Sequence, residues 1–207
     1  MRNAKIEQFL FETDNKAREI MLSLPDCLTS GFRTLFLLER AKDGGANKEE
    51  KRVFNFAVST KTEELEAKLK EFLWLKLFHN QKDLRIYLSV NERNEHRAVR
   101  NMLEAITDAM YADQINRDLV AKKIVKGSRS YIMAPNARKT SFFLFDVDNI
   151  EGRDVMGETL QEMGDLSIEE IYRKSTRNGW HVVTKPFNPQ IWKGVAEIKK
   201  DGLILLD

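Results

Sequence analysis

The stretch Ser141 to Asn149, SFFLFDVDN, constrains this chain more than any other. Four apolar residues, Phe142 to Phe145, run directly into Asp146 and Asp148. A short, aromatic-rich apolar run reads as a strand buried on both faces. Alternate residues of a strand share a face, so Asp146 and Asp148 stand side by side at the carboxyl end of a core strand. Two carboxylates so placed repel one another unless a positive charge lies between them, and a divalent cation is the usual answer. The same pattern also fits a strand that simply ends, with both Asp solvated in a turn. A matching stretch downstream favours the cation.

Composition narrows the setting. A chain of 207 residues can bury a sizeable core, as one domain or two small lobes. Lys plus Arg number 34 against 32 Asp plus Glu, so any surface for nucleic acid must be local. The single cysteine, Cys27, excludes an intrachain disulfide and a cysteine-based zinc site, and it suits a reducing compartment. The N-terminal stretch MRNAKIEQFLFETDN lacks the apolar core of a signal peptide. No apolar run approaches the roughly eighteen residues a membrane span needs. The expectation is a cytoplasmic protein with no membrane partner.

Taken in order, Ile6, Phe9, Leu10, Ala17, Ile20, Met21 and Leu24 recur at helical spacing and predict a helix over 4–24, ended by Pro25. Residues 32–40 and 52–59 read as strands of a hairpin joined through Asp43-Gly44-Gly45. Thr60 and Glu63 have capping-box spacing and open a helix to about Phe78, with Leu65, Leu69, Phe72 and Leu73 inward. A strand over 84–90 and a helix from Glu95 to about Ile115 come next. The basic segment from Arg117 to Thr140 reads either as a solvated linker or as a surface that tracks phosphates. Beyond the organising strand, the pattern predicts a helical region broken by Gly164 and a second helix start at Ser167. A short strand then begins at His181, and a final strand pair, Ala196–Lys199 and Leu203–Leu206, turns at Asp201-Gly202. This alternation predicts an α+β fold with a mixed or antiparallel sheet layered by helices. Any seam falls near residue 80, between a 1–80 αββα lobe and an 81–207 lobe carrying the chemistry.

Of the three histidines, His79 closes a helix and His96 opens one, which suits surface positions. His181 differs, because it comes directly after the turn Lys174-Ser175-Thr176-Arg177-Asn178-Gly179-Trp180. A strand with two Asp, a helix, then a basic Ser/Thr turn leading to His resembles the archaeo-eukaryotic primase (primase-polymerase) superfamily. Its first motif is matched by Phe143-Leu144-Phe145-Asp146-Val147-Asp148, and its second by Lys174 to His181. The third motif is an acidic residue on a later strand; Glu197 is the nearest match, with Asp201 and Asp207 behind it. The resemblance covers residues 84–207 and implies RRM-like βαβ units. It implies catalysis by Asp146, Asp148 and His181, with Mg2+ or Mn2+ held by Asp146, Asp148 and Glu197. Nucleotide phosphates would meet His181, Ser175, Thr176, Arg177, Lys185 and Arg93. The implied partners are nucleic acid, nucleoside triphosphates and other replication or repair proteins.

The physical chemistry agrees with that expectation. Nucleotidyl transfer uses two cations about 4 Å apart, one activating the attacking hydroxyl and one neutralising the triphosphate. Hard oxygen donors suit them, and Arg or Lys suits the phosphates. The expected activity is therefore metal-dependent nucleotidyl transfer. The alternative is a reduced relative that holds nucleic acid or nucleotide without turnover. A third reading makes Asp146 the nucleophile of a haloacid-dehalogenase-like phosphatase, which leaves the Gly-Trp-His turn unexplained.

Overall fold

The computed structural model describes residues 2–39, 52–78, 84–111 and 129–207. Helix α1 (Arg2–Ser23) stops before Pro25, which has no N–H to continue the ladder, and the short α2 (Asp26–Thr29) comes after it. Strand β1 (Arg33–Glu39) pairs antiparallel with β2 (Arg52–Ser59), as the hairpin reading predicts; the joining residues lie outside the described set. Helix α3 (Thr62–Phe78) buries Leu65, Leu69, Phe72 and Leu73. Its entry is tied through Glu64, not Glu63. The Thr60 N–H and hydroxyl both donate to Glu64 Oε2, at 2.8 and 2.9 Å.

Strand β3 (Leu84–Ser89) pairs with β1 and is followed by α4 (Glu95–Tyr111). The last strand, β8 (Leu203–Leu205), closes this sheet in the order β2-β1-β3-β8. The first sheet therefore draws on both ends of the chain, and residue 80 is no boundary between sheets. The second sheet contains β4 (Phe143–Asp148), β5 (Glu170–Thr176), β6 (Gly179–Thr184) and β7 (Glu197–Lys199), in the order β5-β6-β4-β7. Helix α5 (Val155–Asp165) carries the chain from β4 to β5, and β6 returns between them. Every pairing between these strands is antiparallel, so neither sheet is mixed.

Three expectations are corrected here. Ser167 does not open a helix; it closes one. Its φ of 53° is left-handed, the conformation that ends helices rather than the extended one an N-cap needs. The Ile168 N–H donates to Met163 O at 2.8 Å and the Ser167 N–H to Gly164 O at 3.0 Å, the paired bonds of a Schellman motif. Ile168 then packs in the same cluster as Met163. Gly164 lies inside α5 and does not break it. Beyond Ser167 the chain enters strand β5, which the sequence pattern does not predict. The final pair is also no hairpin: β7 joins β4, whereas β8 joins β3 in the other sheet. The Asn91 side chain holds this crossing by donating to Lys200 O at 3.0 Å and Phe142 O at 3.1 Å.

Strand β4 is the spine of the second sheet because its two faces are anchored separately. Phe145 and Val147 are buried with Val182, Val155 and Met163 beneath α5. Leu144 and Val183 enter the main core with Leu35, Ile86, Leu88 and Ile204 of the first sheet. Fully burying one such side chain is worth roughly 1.5–3 kcal/mol. The apolar half fixes the strand, and its acidic end is carried out into a more open setting: Asp146 is half-buried and Asp148 exposed.

Candidate functional site

Strand register brings residues that are far apart in sequence into one row. Asp146 of β4 stands opposite His181 of β6 and Glu197 of β7, and His181 in turn stands opposite Lys174 of β5. Opposed residues share a face, with Cβ atoms about 4.5–5.5 Å apart. A row Lys174–His181–Asp146–Glu197 thus crosses the whole sheet. The next row outward holds Thr176, Gly179 and Asp148. This is the open continuation of the face that Leu144 and Val183 bury.

His181 is oriented by the other sheet. The Leu205 N–H donates to its Nδ1 at 3.1 Å. Nδ1 is therefore an acceptor, which places the proton of the neutral ring on Nε2. Nε2 lies 3.5 Å from Asp146 Oδ1. The other carboxylate oxygen, Oδ2, accepts from the Lys199 ammonium. The hydrogen bond from His181 holds the Asp146 carboxyl well below its ordinary range; burial opposes this and Lys199 reinforces it. Burial works against the Lys199 charge, yet Asp146 and then Glu197 keep its affinity for a proton above the ordinary value. Its Nζ lies 3.2 Å from Glu197 Oε2.

At its Lys174 end the row meets a cavity of about 610 Å3 between α1 and the β5–β6 hairpin; His181, Asp146 and Glu197 are not among the residues that line it. Lys16, Ser23, Tyr172, Lys174, Thr176 and Arg177 are among the residues that line it. Its size lies in the range of small-molecule sites, and its wall combines cations with the carboxylates of Glu19 and Asp207, hydroxyls, and the rings of Tyr172 and Trp180. Burial lowers the proton affinity of Lys174, whose ammonium donates to Leu206 O at 2.6 Å.

The other sequence candidates divide. Thr176 is on the face of His181, whereas Ser175 pairs with Trp180 and points to the opposite face; both border the cavity with Arg177. Lys185 is not brought in. It lies past the far end of β6, about 13 Å along the strand from His181, and its ammonium pairs with Glu169 at 2.7 Å. Arg93 is buried elsewhere, with its guanidinium on Asp201. Asp207 is held by Lys16 and Lys76. Of the three candidates for a third carboxylate, only Glu197 stands beside Asp146. His96 is exposed, and His79 lies outside the described residues, as does most of the basic segment.

Sequence reasoning missed Lys174 and Lys199. The signal for Lys199 was available: it is two residues from Glu197 on one strand, so both share a face. Lys174 needed β5 to be recognised.

Gly179 is required by close approach. A Cβ there would lie 1.8 Å from Val147 O. Gly179→Ala should force β4 and β6 apart beside Asp148 and lower stability by about 2–3 kcal/mol, the scale of an overpacked site. Urea denaturation measures this.

Among the described residues no group of three or more acidic, His or Cys side chains is drawn together tightly enough to hold a metal ion. The donors nevertheless suit one. Asp146, Asp148 and Glu197 offer hard oxygens, Asp146 is ionised, and a cation, the Lys199 ammonium, already rests between Asp146 and Glu197. Comparison of the chain with protein-family models, curated proteins and solved structures finds no match. No helix among the described residues is long and apolar enough to cross a membrane.

Proposed function

We propose that the chain is a metal-dependent nucleotidyltransferase of the primase-polymerase type, acting on nucleic acid and nucleoside triphosphates. The observation that carries this reading is the single row formed by Asp146, His181 and Glu197, which ends in Lys174 at the wall of a cavity. The strand order of the second sheet adds support. Its first strand lies between its third and last, its second strand is at the edge, and a helix joins the first to the second. That is the order of an RRM-like unit.

In this reading Asp146, Asp148 and Glu197 hold Mg2+ or Mn2+. When bound, the metal would neutralise the triphosphate and activate the attacking hydroxyl. The Nε2–H of His181, oriented by the Leu205 N–H, faces Asp146 in this structure and would be free to donate to a phosphate oxygen once that carboxylate is committed to a cation. Lys16, Lys174 and Thr176 supply further cationic and hydroxyl groups along the cavity wall.

The test is incorporation of labelled nucleotides on primed and unprimed DNA and RNA templates, with Mg2+ or Mn2+. Metal-dependent incorporation is expected. Its absence with every template, nucleotide and metal would remove the enzymatic reading.

One observation favours a second reading. If Lys199 stays between Asp146 and Glu197, the row is neutralised internally and the chain is a module that binds nucleotide or nucleic acid without turnover. Nucleotide binding that survives a chelator, with no product formed, would support it.

A further inference from the structure

Lys199, opposite Leu144 and so one row inward, is the charged residue beside these carboxylates to which the proposed chemistry gives no task. It stands on β7 two residues after Glu197, and both side chains point to the carboxylate face. Its ammonium donates to Asp146 and lies 3.2 Å from Glu197 Oε2, so one positive charge joins carboxylates from two strands. Its side chain is 37% exposed, which leaves a route to solvent.

We infer that Lys199 is an exchangeable internal counter-cation: it holds Asp146 and Glu197 when no metal is bound, and a divalent ion displaces it. This inference rests on reading the carboxylates as a cation site. Several features suit the role. Without the ammonium, Asp146 would retain the His181 ring as its one side-chain partner among the described residues, and it would face Glu197 across the strands as a like charge. Lysine is a compact point charge on a flexible stem, so it can withdraw without rearranging the strand, unlike the planar fork of arginine. β7 spans three residues at the edge of its sheet, and among the described residues no further strand lies beyond it. A divalent ion entering between Asp146 and Glu197 would meet the ammonium at close range, and like charges so near exclude one another. Apparent metal affinity is therefore reduced by the fraction of time Lys199 occupies the site.

The experiment titrates the full chain with Mn2+ and counts free ion by electron paramagnetic resonance, in wild type and in Lys199→Met, Lys199→Arg and Lys200→Met. Lys199→Met should bind Mn2+ at least about tenfold more tightly, as expected if the wild-type lysine is withdrawn about a tenth of the time. Lys199→Arg keeps the charge in place and should bind no more tightly than wild type. Lys200→Met removes an equal charge from an exposed neighbour and should stay within about twofold of wild type. A second measurement needs no variant. Saturating Mg2+ should accelerate acylation of the Lys199 amine in the wild-type protein, resolved by peptide mapping, and leave Lys200 unchanged.

Wild type that binds Mn2+ as tightly as Lys199→Met, or Lys199 acylation indifferent to Mg2+, overturns the inference while leaving the metal site intact. Absence of Mn2+ binding in every protein overturns both the inference and the reading of the carboxylates as a cation site.

Discussion

Replacing Asp201 by Ala should lower stability by about 3–5 kcal/mol, the cost of stranding the second charge of a buried ion pair. Arg93 has no exposed side-chain surface, and both of its terminal nitrogens donate to Asp201. Its remaining partner is Met133 O at 3.4 Å, and its Nε has no acceptor among the described residues. Removing Asp201 therefore leaves a buried guanidinium with one long contact to a carbonyl. Asp201 also sits in the crossing from β7 to β8, so the loss loosens the link that ties Glu197 and Lys199 to the first sheet. Urea denaturation measures the loss. Adding Arg93→Met to Asp201→Ala should recover part of it, because a buried pair replaced by apolar side chains can be nearly neutral. A small effect of Asp201→Ala would mean that Arg93 finds other partners, and would return Asp201 to the candidates for the third carboxylate.

The second large effect is expected at the centre of the row. Asp146→Asn should reduce nucleotide incorporation by at least about 10²–10³-fold, the scale on which one electrostatic group at a reacting centre acts. The amide keeps the shape of the carboxylate, but its single oxygen can accept from only one of His181 and Lys199 and its NH2 faces the other donor; the apolar residues of β4 should still hold the sheet together. A thousandfold loss corresponds to about 4 kcal/mol in the barrier, whereas the stability change should be about 1 kcal/mol or less, as for a partly exposed ion pair. This split between activity and stability is diagnostic. A variant that loses stability and activity in proportion would make Asp146 a structural residue, held between His181 and Lys199 for the sake of the sheet. Asp148→Asn tests the outer row in the same assay. Asp148 is exposed, so its replacement should leave stability unchanged.

The range of each interaction decides how much of the fold and the site was legible in the sequence. The strand of Asp146 could be read because a run of aromatics cannot be hidden except in a core. The His181 turn could be read because Asn178-Gly179 marks it. The helices α1 and α3 were legible from apolar periodicity and from Pro25 and Thr60. Strand β5 was not legible, because Ser167 followed by acidic residues imitates a helix start. Only the left-handed backbone at Ser167 and its Schellman bonds reveal a helix end. The role of Arg93 was also hidden. An arginine just past a strand has no local mark of burial, and its partner Asp201 lies 108 residues away. Position along the strand told equally little about Lys185, which its pairing with Glu169 sets apart from the row. The choice of Glu197 over Asp201 and Asp207 depends on β7 joining β4 while β8 joins β3. Nothing in three-residue strands announces that separation.

The central claim is that Asp146, His181 and Glu197 form one site for cations and a triphosphate. Crystals grown with Mn2+ and a nonhydrolysable nucleoside triphosphate test it most directly, through anomalous scattering from manganese. The account predicts manganese against Asp146 and Asp148, with Glu197 as the third carboxylate and the triphosphate in the adjoining cavity within reach of His181. Manganese and triphosphate ordered elsewhere on the protein, with Lys199 still joined to Asp146, would contradict it.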